Sequence, residues 1–382
     1  MTRLEKRNEI IRLAREAKKF DLQKALDEGL DGEKDLILYG AGGVGRNIAN
    51  LIKTSGRYYV KCFLDRNADK KPEYLGFPVY KPDDVRLSAD FRENALVILS
   101  LMLPLQKDYD EIEGYLRSLG YKKFSNANYL LGFGLSYDKE GGVDRKRFAE
   151  EAEEIASAFD LMTDEHSEDV FLQIFKAHAE IKYEIAQQSP NMTQYVDVNV
   201  PFRFKYRFFI DVGAYIGDTL LDLVKYHNLE QYIAFEPDMG SYAKLSLTAE
   251  KFCKNIVKVI LFPIGLSDDH EFLRFSALGG GDSKIEEFGE QIVQTARLDD
   301  ILKGFDRFMI KMDIEGEEIS ALNGAKQTII GTKPDLAICV YHRISDLWRI
   351  PMMLKAWVPE YSFYLRSHYV GTIETVLYAT AV

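Results

Sequence analysis

Near residue 310 an apolar run turns abruptly polar, reading Met309-Ile310-Lys311-Met312-Asp313-Ile314-Glu315-Gly316. At the two-residue period of a strand, Lys311, Asp313 and Glu315 share one face. Three charges alternating at the buried end of a sheet are poor material for a solvated surface and good material for proton transfer or for holding a polar ligand. Tyr341-His342-Arg343 follows an apolar run ending at Val340, which brings a histidine with an ordinary near-neutral titration to the same edge. His342 is the candidate general base, with Asp313 and Lys311 as further candidate catalytic groups. Lys311 has a second reading, pairing with Asp313 or Glu315 to hold the strand end in shape. Upstream, Phe208-Phe209-Ile210 enters Asp211-Val212-Gly213-Ala214-Tyr215-Ile216-Gly217-Asp218-Thr219, a strand, a glycine turn and a helix start. Such a turn lets backbone approach a ligand closely. Asp218-Thr219 reads as an N-cap, whose neighbouring N–H groups can meet a ligand carboxylate. About twenty residues on, the strand Tyr232 to Phe235 ends at Glu236-Pro237; Glu236 can accept from both hydroxyls of a ribose, and Pro237 stops the strand. After a third strand, Val257 to Phe262, the stretch Pro263 to Ser267, including Gly265 and Leu266, lies where backbone groups can edge an adenine.

A second glycine cluster, Gly40, Gly42 and Gly45, follows Asp35 to Tyr39, and Asp65 ends the run Tyr59 to Leu64 about twenty residues beyond it. That is a dinucleotide spacing. Alone it suggests a nicotinamide-dependent oxidoreductase, but the segment ends before a second mononucleotide half, and no hydride-transfer constellation stands beside it. Cys62, Cys253 and Cys339 are far apart and read as buried free thiols, and the histidines show no HxxxH or HxxH pair. No metal site is indicated, with a cation between Asp313 and Glu315 as a minor alternative.

These groups need two parallel sheets to position them. A chain of 382 residues exceeds one comfortable core. The expected fold is α/β, with two Rossmann-like parallel-sheet domains joined by a helical connector. Residues 1–33 read as an N-terminal surface helix, charged throughout its first twenty residues and unlike a signal peptide. Residues 34–128 form a small Rossmann-like domain with strands at Asp35 to Tyr39, Tyr59 to Leu64 and Ala95 to Ser100 and a helix near Tyr109 to Leu119. Residues 129–194 form the connector, with apolar stripes at Phe148, Ile155, Phe159, Phe171, Ile174 and Phe175. Residues 195–382 form the second domain, its strands including Phe308 to Met312 and Leu336 to Val340, closed by an antiparallel pair around Phe363-Tyr364-Leu365 and Val376-Leu377-Tyr378. A formal net charge of −11 argues against nucleic acid as a partner, and no run approaches the roughly 18 apolar residues of a membrane span. A cytoplasmic protein with a small-molecule partner is expected, a homo-oligomer being one option for its assembly. Gly279-Gly280-Gly281-Asp282-Ser283 and His368 are read either as acceptor contacts or as plain turn and packing residues.

From about residue 195 onward the chain resembles the FkbM family of methyltransferases. The resemblance rests on Asp211 to Thr219, Glu236-Pro237 and Ile310 to Glu317, supported by Arg297-Leu298-Asp299-Asp300, Leu322-Asn323-Gly324-Ala325 and Lys333-Pro334-Asp335-Leu336. It implies a class I methyltransferase fold with S-adenosylmethionine as cofactor, held by Asp211, Gly213, Ala214, Tyr215, Gly217, Asp218, Thr219, Glu236, Pro237, Gly265, Leu266, Asp313 and Glu315. The reaction implied is O-methylation of a sugar, glycan precursor or secondary metabolite. In many methyltransferases a glycine stands where this chain has Tyr215. The N-terminal segment is similar to small nucleotide-fold domains joined to sugar-modifying transferases, with Asp65-Arg66-Asn67 and Gly76-Phe77-Pro78-Val79 as matching turns. A nucleotide or nucleotide-sugar at Gly40, Gly42, Gly45 and Asp65 is its implied ligand; a docking module and an NAD(P)-dependent oxidoreductase are the alternatives.

Overall fold

Each glycine turn lies at the carboxyl end of the first strand of its own parallel sheet. The structure is a computed structural model, described for residues 1–17, 26–27, 29–30, 35–101, 103, 106–126, 146–180, 194–197, 199–203, 207–226, 228–252, 256–276, 284–285, 291–302, 304, 308–368 and 373–381. Cys253 and the glycine stretch 279–283 lie outside these residues. After the leading helix α1 (Arg3–Glu16), the first domain runs β1 (Asp35–Tyr39), α2 (Gly43–Ser55), β2 (Tyr59–Leu64), β3 (Glu73–Tyr74), β4 (Phe77–Tyr80), α3 (Ala89–Asn94), β5 (Leu96–Leu99), α4 (Gln106–Ser118) and β6 (Lys123–Asn126). These strands form one sheet in the order β3-β4-β2-β1-β5-β6, parallel except for β3. The central strands β1 and β5 are almost wholly buried, as expected for a sheet covered on both faces. Of the expected turn at 76–79 only Gly76 belongs to a turn: Leu75 and Gly76, at φ +55° and +79°, join β3 to β4 as a two-residue hairpin loop.

The connector helices are α5 (Lys146–Glu150), α6 (Ala152–Asp160) and α7 (Glu165–Glu180). All six residues of the expected apolar stripes are buried. Phe148 lies between Phe175 and Trp348, with ring centroids 5.3 and 6.0 Å away. The α7 start also covers the edge strand of the second sheet: Ser167 Oγ accepts from Leu365 N at 2.9 Å, and Thr163 and Phe363 exchange two further bonds. An edge so covered offers no free ladder to another chain. Helix α1, expected at the surface, is instead half-buried. Its Ile10, Leu13 and Ala14 pack into the connector core, while Arg7 pairs with Asp160 at 2.8 Å and Lys6 with Asp169 at 2.6 Å. The charges hid an apolar stripe only one or two residues wide, and their partners are on α6 and α7.

The second domain contains β7 (Phe208–Val212), α8 (Asp218–Tyr226), β8 (Gln231–Phe235), α9 (Met239–Phe252), β9 (Lys258–Phe262), β10 (Gly265–Leu266), β11 (Phe272–Ser276), β12 (Lys284–Ile285), β13 (Gln291–Ala296), α10 (Leu298–Ile301), β14 (Met309–Met312), α11 (Glu318–Gly324), α12 (Lys326–Thr332), β15 (Asp335–Cys339), α13 (Asp346–Trp357), β16 (Ser362–Ser367) and β17 (Thr375–Thr380). Its main sheet is ordered β16-β17-β15-β14-β7-β8-β9, with β17 antiparallel to both neighbours and the rest parallel. Strand order reverses between β7 and β14, and the crevice beyond such a switch point is where ligands bind. A four-stranded side sheet, β10-β13-β11-β12, was not expected; its strands are short and two have only two residues, too few to show a period. The Leu322-Asn323-Gly324-Ala325 motif has a packing reason, since a Cβ on Gly324 would stand 1.9 Å from Ser267 O. Asp299 of the Arg297-Leu298-Asp299-Asp300 motif accepts from Gln327 N and Thr328 N at 2.9 and 2.8 Å, capping α12 from outside.

Candidate functional site

The turn after β7 is shaped by close backbone approach. Gly213 has φ +78°, and a Cβ there would lie 1.9 Å from the Asp313 carbonyl oxygen. Gly217, at φ +85°, stands directly before α8, which begins at Asp218. Asp218 and Thr219 are thus the first helical residues, where the sequence suggested a cap. Tyr215, between the glycines, is also left-handed at φ +46°, a conformation that costs a side-chain-bearing residue about 1–2 kcal/mol. Glu236 holds it there, Oε2 accepting from Tyr215 N at 2.8 Å and Oε1 from Asp238 N at 2.8 Å. Burial pushes the Glu236 carboxyl up to about 7, although the two backbone donors and Lys311 pull the other way. Beside it, the position of a Cβ on Gly265 would be 4.0 Å from the Pro237 ring. The structure therefore brings Gly213, Tyr215, Glu236, Pro237 and Gly265 to one end of the sheet, while the Leu266 side chain joins the core.

Lys311 points elsewhere than its sequence neighbours suggested. It is 2% exposed, its Nζ lies 3.0 Å from Asp211 Oδ1, and it donates to Gly213 O at 2.5 Å. Burial by itself would lower its pKa, but Asp211, Asp313 and Asp218 together hold it above the usual lysine value. Asp211, fully buried and accepting from Tyr232 OH at 2.6 Å, is raised by burial, with Lys311 and Tyr232 opposing. This pair faces inward and fixes the turn from beneath. The supposed common face of Lys311, Asp313 and Glu315 does not form, because β14 ends at Met312 and the chain turns through Glu315 and Gly316 at φ +58° and +93°.

That turn meets the loop after β15. His342 Nδ1 lies 2.8 Å from Glu318 Oε1, and its Nε2 lies 3.5 Å from Asp313 Oδ1 and 3.7 Å from Glu315 Oε2. Burial disfavours its charge, but Glu318, Glu315 and Asp313 outweigh that and raise its pKa to about 10. The near-neutral histidine expected from the sequence is thus a cation among carboxylates. Asp313 also accepts from Tyr195 OH at 2.8 Å and Tyr341 OH at 3.3 Å. Burial pushes it up, yet Lys311, His342 and Tyr195 bring it below the ordinary carboxylate range. Tyr341 continues to Glu374 at 3.4 Å, whose carboxyl burial and Asp313 raise to about 7. Tyr195, Glu318, Tyr341 and Glu374 were not singled out from the sequence; the two-residue alternation of Lys311, Asp313 and Glu315 continues to Glu317 and passes over Glu318. His368 is buried with Nε2 2.8 Å from Tyr378 OH, a packing position.

The first domain repeats the Glu236 device. Asp65 Oδ2 accepts from Ala41 N at 3.1 Å and Oδ1 from Asn67 N at 2.8 Å. Gly40 and Gly45 are required by packing, since a Cβ on Gly45 would lie 2.2 Å from Gly40 O, whereas Gly42 has open space. Above the turn is a cavity of about 540 Å³ lined by residues including Tyr39, Gly40, Asp65, Arg66, Asp108 and Tyr115.

Among the described residues no helix is long and apolar enough to cross a membrane. Residues 211–363 match the family described as the methyltransferase FkbM domain, and residues 35–100 match the PglD N-terminal domain. No curated protein matches the chain. Among solved structures, the methyltransferase FkbM of Methylobacillus flagellatus KT is similar over 99% of this chain and 100% of its own, at 19% identity and a TM-score of 0.68. The N-terminal domain of human METTL16, in complex with SAH, covers 59% of this chain and 91% of its own at 13% identity, with a TM-score of 0.27 that is too low to bear on this fold. Both domains thus follow the architecture of the M. flagellatus protein, the second as a class I methyltransferase fold. The three charged and glycine-bearing loops at the carboxyl ends of β7, β8 and β14 all lie within residues 211–363, the stretch of this chain that matches the FkbM methyltransferase domain.

Proposed function

We propose that the second domain binds S-adenosylmethionine between the Gly213–Gly217 turn and Glu236 and methylates an oxygen of a sugar, glycan precursor or secondary metabolite. The observation carrying this reading is Glu236, buried at the end of β8 with one backbone N–H on each oxygen. Each oxygen keeps capacity for another donor, which suits the two hydroxyls of a ribose. Gly213, Tyr215 and Gly217 would line the cofactor's amino-acid end, and Pro237 and Gly265 its base. When bound, the cofactor supplies a sulfonium-borne methyl group. The protein's part is to align the acceptor with it and exclude water. Asp313, whose side chain is 22% exposed, is the carboxylate placed to accept the acceptor's proton; Tyr195 and Tyr341, which donate to it, orient it. Calorimetric titration of S-adenosylmethionine and S-adenosylhomocysteine, with NAD as control, should give micromolar binding that falls at least tenfold in Glu236→Ala. Binding of NAD alone would sink the reading.

The first domain is, we infer, a nucleotide or nucleotide-sugar site, and the supporting observation is the cavity above Asp65, of a size usual for small ligands. Nucleotide-sugars should raise the melting temperature of the wild type and not of Asp65→Ala, without any change in their absorbance. Reduction of bound NAD would favour the oxidoreductase alternative.

A further inference from the structure

His342 is held as metal-ligating imidazoles are held. Its side chain is 6% exposed, and its Nδ1 is fixed by Glu318, a fully buried carboxylate whose Oε1 also accepts from Ile314 N at 3.0 Å. The remaining ring nitrogen, Nε2, is buried and makes no hydrogen bond. It faces Asp313 Oδ1 at 3.5 Å and Glu315 Oε2 at 3.7 Å, beyond the roughly 3.2 Å limit of a hydrogen bond. Two atoms each about 2.1–2.2 Å from one ion, at angles of tetrahedral size or somewhat wider, lie about 3.4–3.8 Å apart. Both separations fall in that range. Asp313, Glu318 and His342 offer ligand atoms within 4.8 Å of one another, and Tyr195 and Tyr341 hold the Asp313 carboxylate in place.

We infer that His342 Nε2 and Asp313, with Glu315 as a third ligand, bind one divalent cation in place of the proton that the imidazole carries without it, Glu318 orienting the ring through Nδ1. One imidazole and two carboxylates suit Mn²⁺ or Zn²⁺ better than Ca²⁺, and a carboxylate behind the histidine is the usual support for such a ligand. Three protein ligands leave positions open. If the methyl-transfer reading holds, on which this last step rests, those positions would take an acceptor with two adjacent oxygens, such as a vicinal diol.

The test is Mn²⁺ added to chelator-stripped full-length protein without any cofactor, followed by electron paramagnetic resonance. Expected is one site of micromolar affinity, with nitrogen couplings from a directly bound imidazole. His342→Gln should abolish those couplings and weaken binding at least tenfold, while Glu93→Gln, at an exposed carboxylate of the other domain, should change neither. Absence of a site up to millimolar Mn²⁺, a bound ion without nitrogen coupling, or unchanged binding in His342→Gln would each overturn the inference. The wild-type couplings decide the matter even if the variant fails to fold. Since no cofactor is present, a negative result leaves S-adenosylhomocysteine binding untouched, and the two readings fail separately.

Discussion

Glu236 is a carboxylate that pins a strained turn with one backbone N–H on each oxygen. Its carboxyl is raised to about 7 from an ordinary 4.5, so between those values the folded chain keeps a proton that the unfolded chain has released. Its favourable contribution is fully present below 4.5 and is lost as pH rises through 7, by up to roughly 3 kcal/mol. Urea denaturation of the ligand-free protein at pH 5 and pH 8 should show this loss, and Glu236→Gln should remove that part of it. Lys311 offers a second test. In Lys311→Met the buried Asp211 loses its cation, which should cost about 3–5 kcal/mol. Adding Asp211→Asn should recover part of the loss; a fully stable single variant would show that the pair does not hold the turn.

The glycine turns are the elements that let loops distant in sequence meet backbone to backbone. Gly213→Ala places a methyl group against the Asp313 carbonyl in a left-handed conformation. A loss of about 3 kcal/mol or more in denaturant unfolding is expected, with a cofactor affinity at least tenfold weaker by calorimetry. Gly42→Ala, where nothing stands within 4 Å of the added carbon, should stay within about 0.5 kcal/mol of the wild type. Equal effects in both would mean that glycine acts through chain freedom and not through space.

Over the whole molecule, α1 and the connector do the joining. Helix α1 lies against α6 and α7, and α7 covers β16, so the chain's first helix is tied to the edge of its last sheet. Ile10 is fully buried in that layer, and Ile10→Ala should cost about 2–4 kcal/mol in chemical denaturation. An effect below about 0.5 kcal/mol would return α1 to the surface role its charges first suggested.

The sequence by itself determined the two glycine turns, the carboxylates that end the second strand of each sheet, and the connector's apolar stripes. Each is a local pattern: a strand's end, a turn's φ requirement or a helix period is set by residues close together in the chain. The tertiary structure alone decided what each charge faces. Lys311 turned to Asp211, a hundred positions away, because adjacent parallel strands put those residues side by side. His342 became a cation because the loop after β15 meets the turn after β14, where Asp313, Glu315 and Glu318 converge. Tyr195 and Glu374 came to that cluster from the start of the second domain and the final hairpin, with no spacing in the chain to announce them. Charge and proton affinity depend on burial and on neighbours within a few ångströms, and those neighbours are chosen by strand order, which no local pattern carries.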